Sequence, residues 1–431
     1  MNDTRPFALL RWLAICQALG LALGLALGLV ACGGGGSGTT AAPAVSFPAS
    51  AASLTDANVA TISVESGPGN NVNIPYVTVT VCSPGGALGS SNCKAIDHVL
   101  LDTGSTGLRL FANVLNAAPA LVLPAHKIGT SSTITECAQF LNSQAWGAIK
   151  VADVVIGENT GAKRAASVPV QLMDTNFPAA LSQSNLCGSS PLMAQSASTS
   201  ANWDLLSANG ILGISLFVND GQKYFNCTPS GNKTCLISPQ PAASLQVQNP
   251  VFLFSGDNNG VVVQLPAIAA VGATSARGYL IFGVGTQSNN GLGAANVVPV
   301  NGFSGFFTTT YKGKTLAKSF MDSGSNGLFF NDASLSTACN SAATGFYCPP
   351  TTQDLSASIQ LANASVLVNF SIANADQLFK ASNYAFNNMG GTLDNSSFDW
   401  GLPFFYGRSV YTVIEGTSVG TLNGPFYAFT N

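Results

Sequence analysis

Residues 100–111 read LLDTGSTGLRLF, and residues 320–330 read FMDSGSNGLFF. Superposed, the two segments share Asp102/Asp322, Gly104/Gly324, Ser105/Ser325, Gly107/Gly327 and Leu108/Leu328 in a single register. Each is an apolar run that delivers one aspartate into a turn of Thr or Ser, Gly, then Ser. Gly104 and Gly324 allow a tight turn whose backbone N–H groups face the carboxylate, and Ser105 and Ser325 can each donate a hydroxyl hydrogen bond to it. One Asp-x-Gly-Ser is an ordinary turn; two with matching flanks imply two similar lobes. A pseudo-twofold between such lobes sets Asp102 against Asp322. Two carboxylates at contact cannot both ionise readily, so they share a proton, one serving as base and the other as acid.

Composition narrows the chemistry around this pair. Of 431 residues, 16 are Lys or Arg and 19 Asp or Glu, so 8% are charged and the formal net charge is -3. No basic run exists that could release counterions from nucleic acid, so nucleic acid is excluded as an expected partner. The 46% hydrophobic content and 25 Phe suit a large packed core rather than disorder. Two histidines, His98 and His126, leave little scope for a His-rich metal site or a Ser/Cys-His relay. Chemistry on carboxylates, with no metal and no cofactor, is the expectation. His98, four residues before Asp102, is expected to be a satisfied sheet residue.

The strand pattern extends outward from the two turns. NVATISVES, NIPYVTVTVC, DHVLLD, VADVVIG, ASVPVQLM, GVVVQLP, GYLIFGVG, ANVVPV, SASIQLA, ASVLVNF and SVYTVIEG are short Val, Ile, Tyr and Thr-rich runs, punctuated by turns and by 45 glycines. A mostly β fold of two similar lobes with a cleft between them follows. Short helices are expected at 331–338 and 375–380. The expected organisation is a leader at 1–31, a flexible tether at 32–55, an N-terminal β lobe at 56–275 and a C-terminal β lobe at 276–431.

The leader carries Arg5 and Arg11 around a start that runs into LALGLALGLVAC. That is a secretory signal, and Leu29-Val30-Ala31-Cys32 resembles a bacterial lipobox, with Cys32 as the lipidated first mature residue. A plain membrane-spanning anchor is the competing reading. Gly33 after Cys32 resembles the Gram-negative pattern that sorts to the outer membrane, so the expected location is the cell envelope, lipid-anchored in the outer membrane. Beyond Cys16 and Cys32, eight cysteines remain: Cys82, Cys93, Cys137, Cys187, Cys227, Cys235, Cys339 and Cys348. Pairing neighbours in sequence joins 82 to 93, 227 to 235 and 339 to 348, and leaves 137 with 187. Many other connectivities are open, and zinc competes, although no CxxC occurs.

On these residues the chain resembles the pepsin-like aspartic peptidases, whose signature is an apolar pair followed by Asp-Thr/Ser-Gly-Thr/Ser in each of two β lobes. Asn209-Gly210-Ile211-Leu212-Gly213 is similar to the family's element beneath the first aspartate loop. Asp399 to Phe405, followed by SVYTVIEG, is similar to its counterpart in the second lobe, and LIFGVG (280–285) to the strand between lobes. The resemblance spans residues 60–431. It implies peptide hydrolysis by a water held between Asp102 and Asp322, with Thr103 and Ser323 bonding across the lobes and Ser105 and Ser325 orienting the carboxylates.

It also implies a flap hairpin over the cleft. There Phe140 stands where the family has Tyr, Leu141 where Gly is usual, and Arg109 where a Trp would bond that Tyr. An inter-loop ion pair is the expected use of Arg109, with a substrate carboxylate as its alternative partner. The implied protein is a membrane-tethered, monomeric endopeptidase acting on polypeptides. The alternative is a catalytically inactive pepsin-like lipoprotein that binds peptide or serves the envelope structurally.

Overall fold

The computed structural model describes residues 52–431, apart from 129–131, 142, 158–162, 175–176, 178–186, 189, 196–204, 229–234, 239–240, 336–338 and 341–342. The expected leader, Cys32 and nearly all of the tether lie outside the described residues. Among those residues, no helix is long and apolar enough to cross a membrane.

The chain is built of β-strands, as its period-2 runs require, and all eleven runs quoted above fall on strands. The strand Val59–Val64 turns Val59, Ala60, Ile62 and Val64 into the core and leaves Thr61 and Ser63 partly exposed. A large sheet holds Cys93–Asp102, Thr106–Phe111 and Gly210–Ile214, and a second, seven-stranded sheet holds Lys314–Met321, Leu328–Phe329 and Asp399–Trp400. The same local topology therefore occurs twice. Gly210–Ile214 lies parallel to Cys93–Asp102 and antiparallel to Thr106–Phe111. Asp399–Trp400 lies parallel to Lys314–Met321 and antiparallel to Leu328–Phe329. Two similar β units are the outcome.

Between these units the large sheet continues without a break. Ala276–Phe282 pairs with Val59–Val64 on one side and with Gly260–Gln264 on the other, and the latter pairs with Ser409–Val413. The expected boundary at residue 276 thus runs through a continuous sheet in which early and late parts of the chain alternate. One apolar core crosses it, from Ile62, Val79 and Leu101 through Val263 and Phe282 to Met321, Phe398 and Trp400. In the second unit the aromatic rings stack, Phe330 on Phe398 at 4.7 Å and Phe398 on Trp400 at 4.2 Å between centroids. Each such ring contributes about 1.5–3 kcal/mol through burial.

The four disulfides join Cys82 to Cys93, Cys137 to Cys187, Cys227 to Cys235 and Cys339 to Cys348, the pairing expected from sequence neighbours. Cys82/Cys93 and Cys227/Cys235 are directly opposed residues on adjacent antiparallel strands. Of the helix expected at 331–338, residues 336–338 lie outside the described residues, and the described part holds a 3₁₀ turn, Ala333–Leu335. The Asp332 carboxylate accepts the Ser334 N–H at 2.9 Å and so caps the start of this turn. At 375–380 a short helix does form, Ala375–Leu378, capped by Asn374.

Candidate active site

The strand Cys93–Asp102 ends on Asp102, and Lys314–Met321 stops one residue short of Asp322. Both aspartates are completely buried. Their turns face each other so closely that each glycine is required by the opposite aspartate. A Cβ added to Gly104 would lie 2.5 Å from the Asp322 carboxyl carbon, and one on Gly324 would lie 2.8 Å from Asp102 Oδ1. Sequence alone assigned these glycines to turn flexibility; close approach is the stronger reason.

Four bonds lock the turns together. The Thr103 N–H donates to Ser323 Oγ at 3.1 Å, and the Ser323 N–H donates to Thr103 Oγ1 at 2.9 Å. Both hydroxyls then donate onward across the interface, Thr103 to the Met321 carbonyl at 3.4 Å and Ser323 to the Leu101 carbonyl at 2.7 Å. This reciprocity needs a short hydroxyl residue at both positions.

The two carboxyls are bonded to each other but not equally supported. Asp102 accepts from the Gly104 N–H at 2.8 Å, the Ser105 N–H at 3.2 Å and the Ser105 hydroxyl. Asp322 accepts from the Gly324 N–H at 2.8 Å and the Ser325 hydroxyl at 3.0 Å. Burial raises the pKa of both, and for Asp102 every other contact opposes that rise. For Asp322 the Asp102 carboxylate adds to burial, and so does a third carboxylate, Asp399. Asp322 is therefore driven well above the usual carboxylate range and holds the shared proton, leaving Asp102 as the anion. Asp399 is fully buried and pairs with Phe320, whereas the equivalent position beneath the first turn is Ile211, paired with Leu100. In the sequence Asp399 stands out only as part of the segment 399–405; a charged residue in an apolar strand is its signal.

Beside the pair lies a cavity of about 60 Å³. One wall is apolar, with Phe306, Phe320 and Tyr427; the other is polar, with Ser105, Arg109 and Asp220. Phe140 also lines it, from the tip of the hairpin formed by Ser132–Gln139 and Gln144–Ile156, where its N–H donates to the Ser143 carbonyl at 2.9 Å. The hairpin is held on both faces and along its edge. Glu136 points inward to Arg109, Cys137 on the opposite face is bonded to Cys187, and the strand Lys223–Cys227 pairs along Ser132–Gln139.

Arg109 makes an inter-loop ion pair, with two carboxylates rather than one. Its guanidinium lies 2.5 Å from Glu136 Oε1 and 2.7 Å from Asp220 Oδ2, donates to the Thr106 carbonyl at 2.7 Å, and sits 5.9 Å from the Phe140 ring. Burial disfavours the charge on Arg109, but Glu136 and Asp220 more than offset it and raise its pKa. Glu136 is driven well above its ordinary range, chiefly by burial, with Arg109 opposing and Asp220 adding to the rise. Tyr224 completes the group, donating to Asp220 Oδ1 at 2.8 Å. Glu136, Asp220 and Tyr224 were not anticipated; an acid at the centre of the alternating run STITECAQ was the visible signal. His98 lies apart from the pair, partly exposed beside Asp97 and Glu65. Among the described residues, no group of three or more His, Cys, Asp or Glu is arranged to hold a metal ion.

Comparison with known proteins yields three findings. A family model described as "Protein of unknown function (DUF3443)" matches residues 54–429. No curated protein matches the chain. Among solved structures, the crystal structure of an aspartic proteinase from Irpex lacteus is similar at 14% identity and a TM-score of 0.46, over 86% of this chain and 97% of that one.

Proposed function

The chain belongs to the DUF3443 family, and from that premise, which assigns no activity, we propose that it is an aspartic endopeptidase acting through Asp102 and Asp322. The observation that carries this reading is the asymmetry of the pair: three protein donors serve Asp102 and two serve Asp322, which also has Asp399 behind it. Asp102, the anion, takes a proton from a water as the water attacks the scissile carbonyl. Asp322, protonated, hydrogen-bonds the carbonyl oxygen and stabilises the charge that develops there. Thr103 and Ser323 keep the two carboxyls in register; Ser105 and Ser325 orient them. The hairpin tip with Phe140 acts as the flap, covering the reacting bond with an apolar ring. Cys32 carries the lipid that tethers a monomeric enzyme to the cell envelope, with the outer membrane as its location and polypeptides as its substrates.

The test is cleavage of a denatured protein by the purified protein from acid to neutral pH, beside Asp102→Asn and Asp322→Asn. Each variant is expected to lose cleavage by a factor of about 10³ or more, since neither carboxyl can replace the other. Full activity in both would sink the proposal. One observation favours a second reading, a peptide-binding protein without turnover. The hairpin is sheet-paired along Ser132–Gln139 and stapled at Cys137, so it resists the opening that a lid requires. Peptide affinity that persists in both variants, with no cleavage at any pH, would select that reading.

A further inference from the structure

Glu136 and Asp220 form a second group of two acids, and it ties down the hairpin that carries Phe140. Glu136 Oε1 and Asp220 Oδ2 both accept from one nitrogen, Nη2 of Arg109, at 2.5 and 2.7 Å, and the two carboxyls also bond to each other. Each of the three side chains is at most 1% exposed. With both acids ionised, two negative charges would face one positive charge in a dry site, and the uncompensated charge is costly. The donors are unequally shared. Asp220 accepts from Arg109, from the Tyr224 hydroxyl at 2.8 Å and from the Gln222 N–H at 3.2 Å. Glu136 accepts from Arg109, and its buried Oε2 has no hydrogen-bond partner among the described residues. A single retained proton therefore belongs on Glu136, and burial raises its pKa in the same sense. Of the other titratable groups, Lys127 and Lys223 pair with Thr133 and Cys137, and Lys150 lies two residues from Ala148, the partner of Thr135. Strand alternation puts all three lysines on the Cys137 face, away from Glu136. Tyr224 and His126 share the Glu136 face, and burial raises the pKa of the first and lowers that of the second, so both are neutral near neutral pH.

We propose that Glu136, Asp220 and Arg109 form a pH-sensitive latch: with a proton on Glu136 it holds the hairpin and Phe140 over the aspartate cleft, and as that proton leaves with rising pH it lets the hairpin open. The latch controls access to the site of the proposed peptidase, but it is read without turnover. In the open hairpin Glu136 meets water and titrates near its ordinary value of about 4.5, below its closed-state value. The contribution of the proton to closure is complete below that ordinary value. Above it, the closing equilibrium weakens about tenfold per pH unit, and the contribution is lost once the closed-state value is passed.

The test is amide hydrogen exchange of the full-length protein from pH 5 to 9, corrected for the intrinsic pH dependence of exchange. It is read in residues 134–141, with the strands Gln353–Gln360 and Ser365–Ile372 of the second unit as internal reference. Protection of 134–141 relative to the reference is expected to fall about tenfold per pH unit and then level off. Glu136→Gln keeps the shape of the protonated acid and cannot ionise, so its protection should be independent of pH. Asp220→Asn removes one cause of the raised value, so the fall should be smaller and end at lower pH. Asp102→Asn, in which the peptidase reading predicts no cleavage, should show the wild-type fall, so that failure of the latch and failure of that reading are told apart. A flat wild-type profile overturns the proposal. The wild-type fall in Glu136→Gln overturns it too, and would leave Glu136 a structural contact only. Should Glu136→Gln not fold, an Asp220→Asn profile identical to wild type overturns it.

Discussion

The two aspartate turns share a sequence pattern and a local topology but sit in different electrostatic surroundings. Behind Asp102 the chain supplies Ile211, and along the following strand it supplies Arg109 with Glu136 and Asp220. Behind Asp322 it supplies Asp399, and Phe329 occupies the position equivalent to Arg109, buried among apolar neighbours. The first turn is anchored by charge and feeds three donors to its carboxylate; the second is anchored by aromatic packing and sits beside a second acid. The duplicated frame thus brings two like groups together, and the unlike surroundings assign the proton to one of them.

Breaking the charged anchor should have the largest effect. Arg109→Met strands Glu136 and Asp220 in a dry site, and a cost of about 3–5 kcal/mol is expected in chemical denaturation. Glu136→Gln, which keeps one carboxylate for Arg109, should cost clearly less. Equal losses would mean that the cluster does not act through charge.

The glycines test whether close approach unites the halves. Gly104→Ala places a methyl 2.5 Å from the Asp322 carboxyl carbon, and Gly324→Ala places one 2.8 Å from Asp102 Oδ1. A destabilisation of about 1–3 kcal/mol is expected for each, with the larger value at Gly104. Gly291→Ala, where a Cβ meets nothing within 4 Å, serves as the control. A control loss as large as either would refute the contact.

The smallest effect concerns pH. Because the folded-state pKa of Asp322 lies above its unfolded value, the folded state binds the proton more tightly. Its contribution to stability is complete below the unfolded pKa of about 3.8 and is lost as pH rises through the folded one. Thermal midpoints of wild type relative to Asp322→Asn should therefore decline from pH 4 upward. Asp399→Asn removes one of the causes of the raised folded-state value and should make that decline smaller and level off at lower pH. A difference independent of pH, or a decline whose end is unmoved by Asp399→Asn, would mean that Asp399 does not act on Asp322.

Much of this was legible in the chain. The strands were visible because a half-buried sheet imposes a period of two on side chains, and the paired aspartates were visible because duplication preserved their turns residue by residue. Sequence-neighbour pairing of the cysteines was readable because two of the four pairs close directly opposed strand residues. The partners of Arg109 were not legible, since Glu136 and Asp220 lie 27 and 111 positions away and only folding brings them within reach.

The sequence by itself determined the mostly β fold, the duplication and the two aspartates, all of which are properties of local pattern. Tertiary structure decided which aspartate keeps the proton, why the glycines of the two turns cannot be replaced, and which carboxylates the buried Arg109 guanidinium finds. Those properties depend on distance and dielectric between residues far apart in the chain, and neither is written in any one stretch of it.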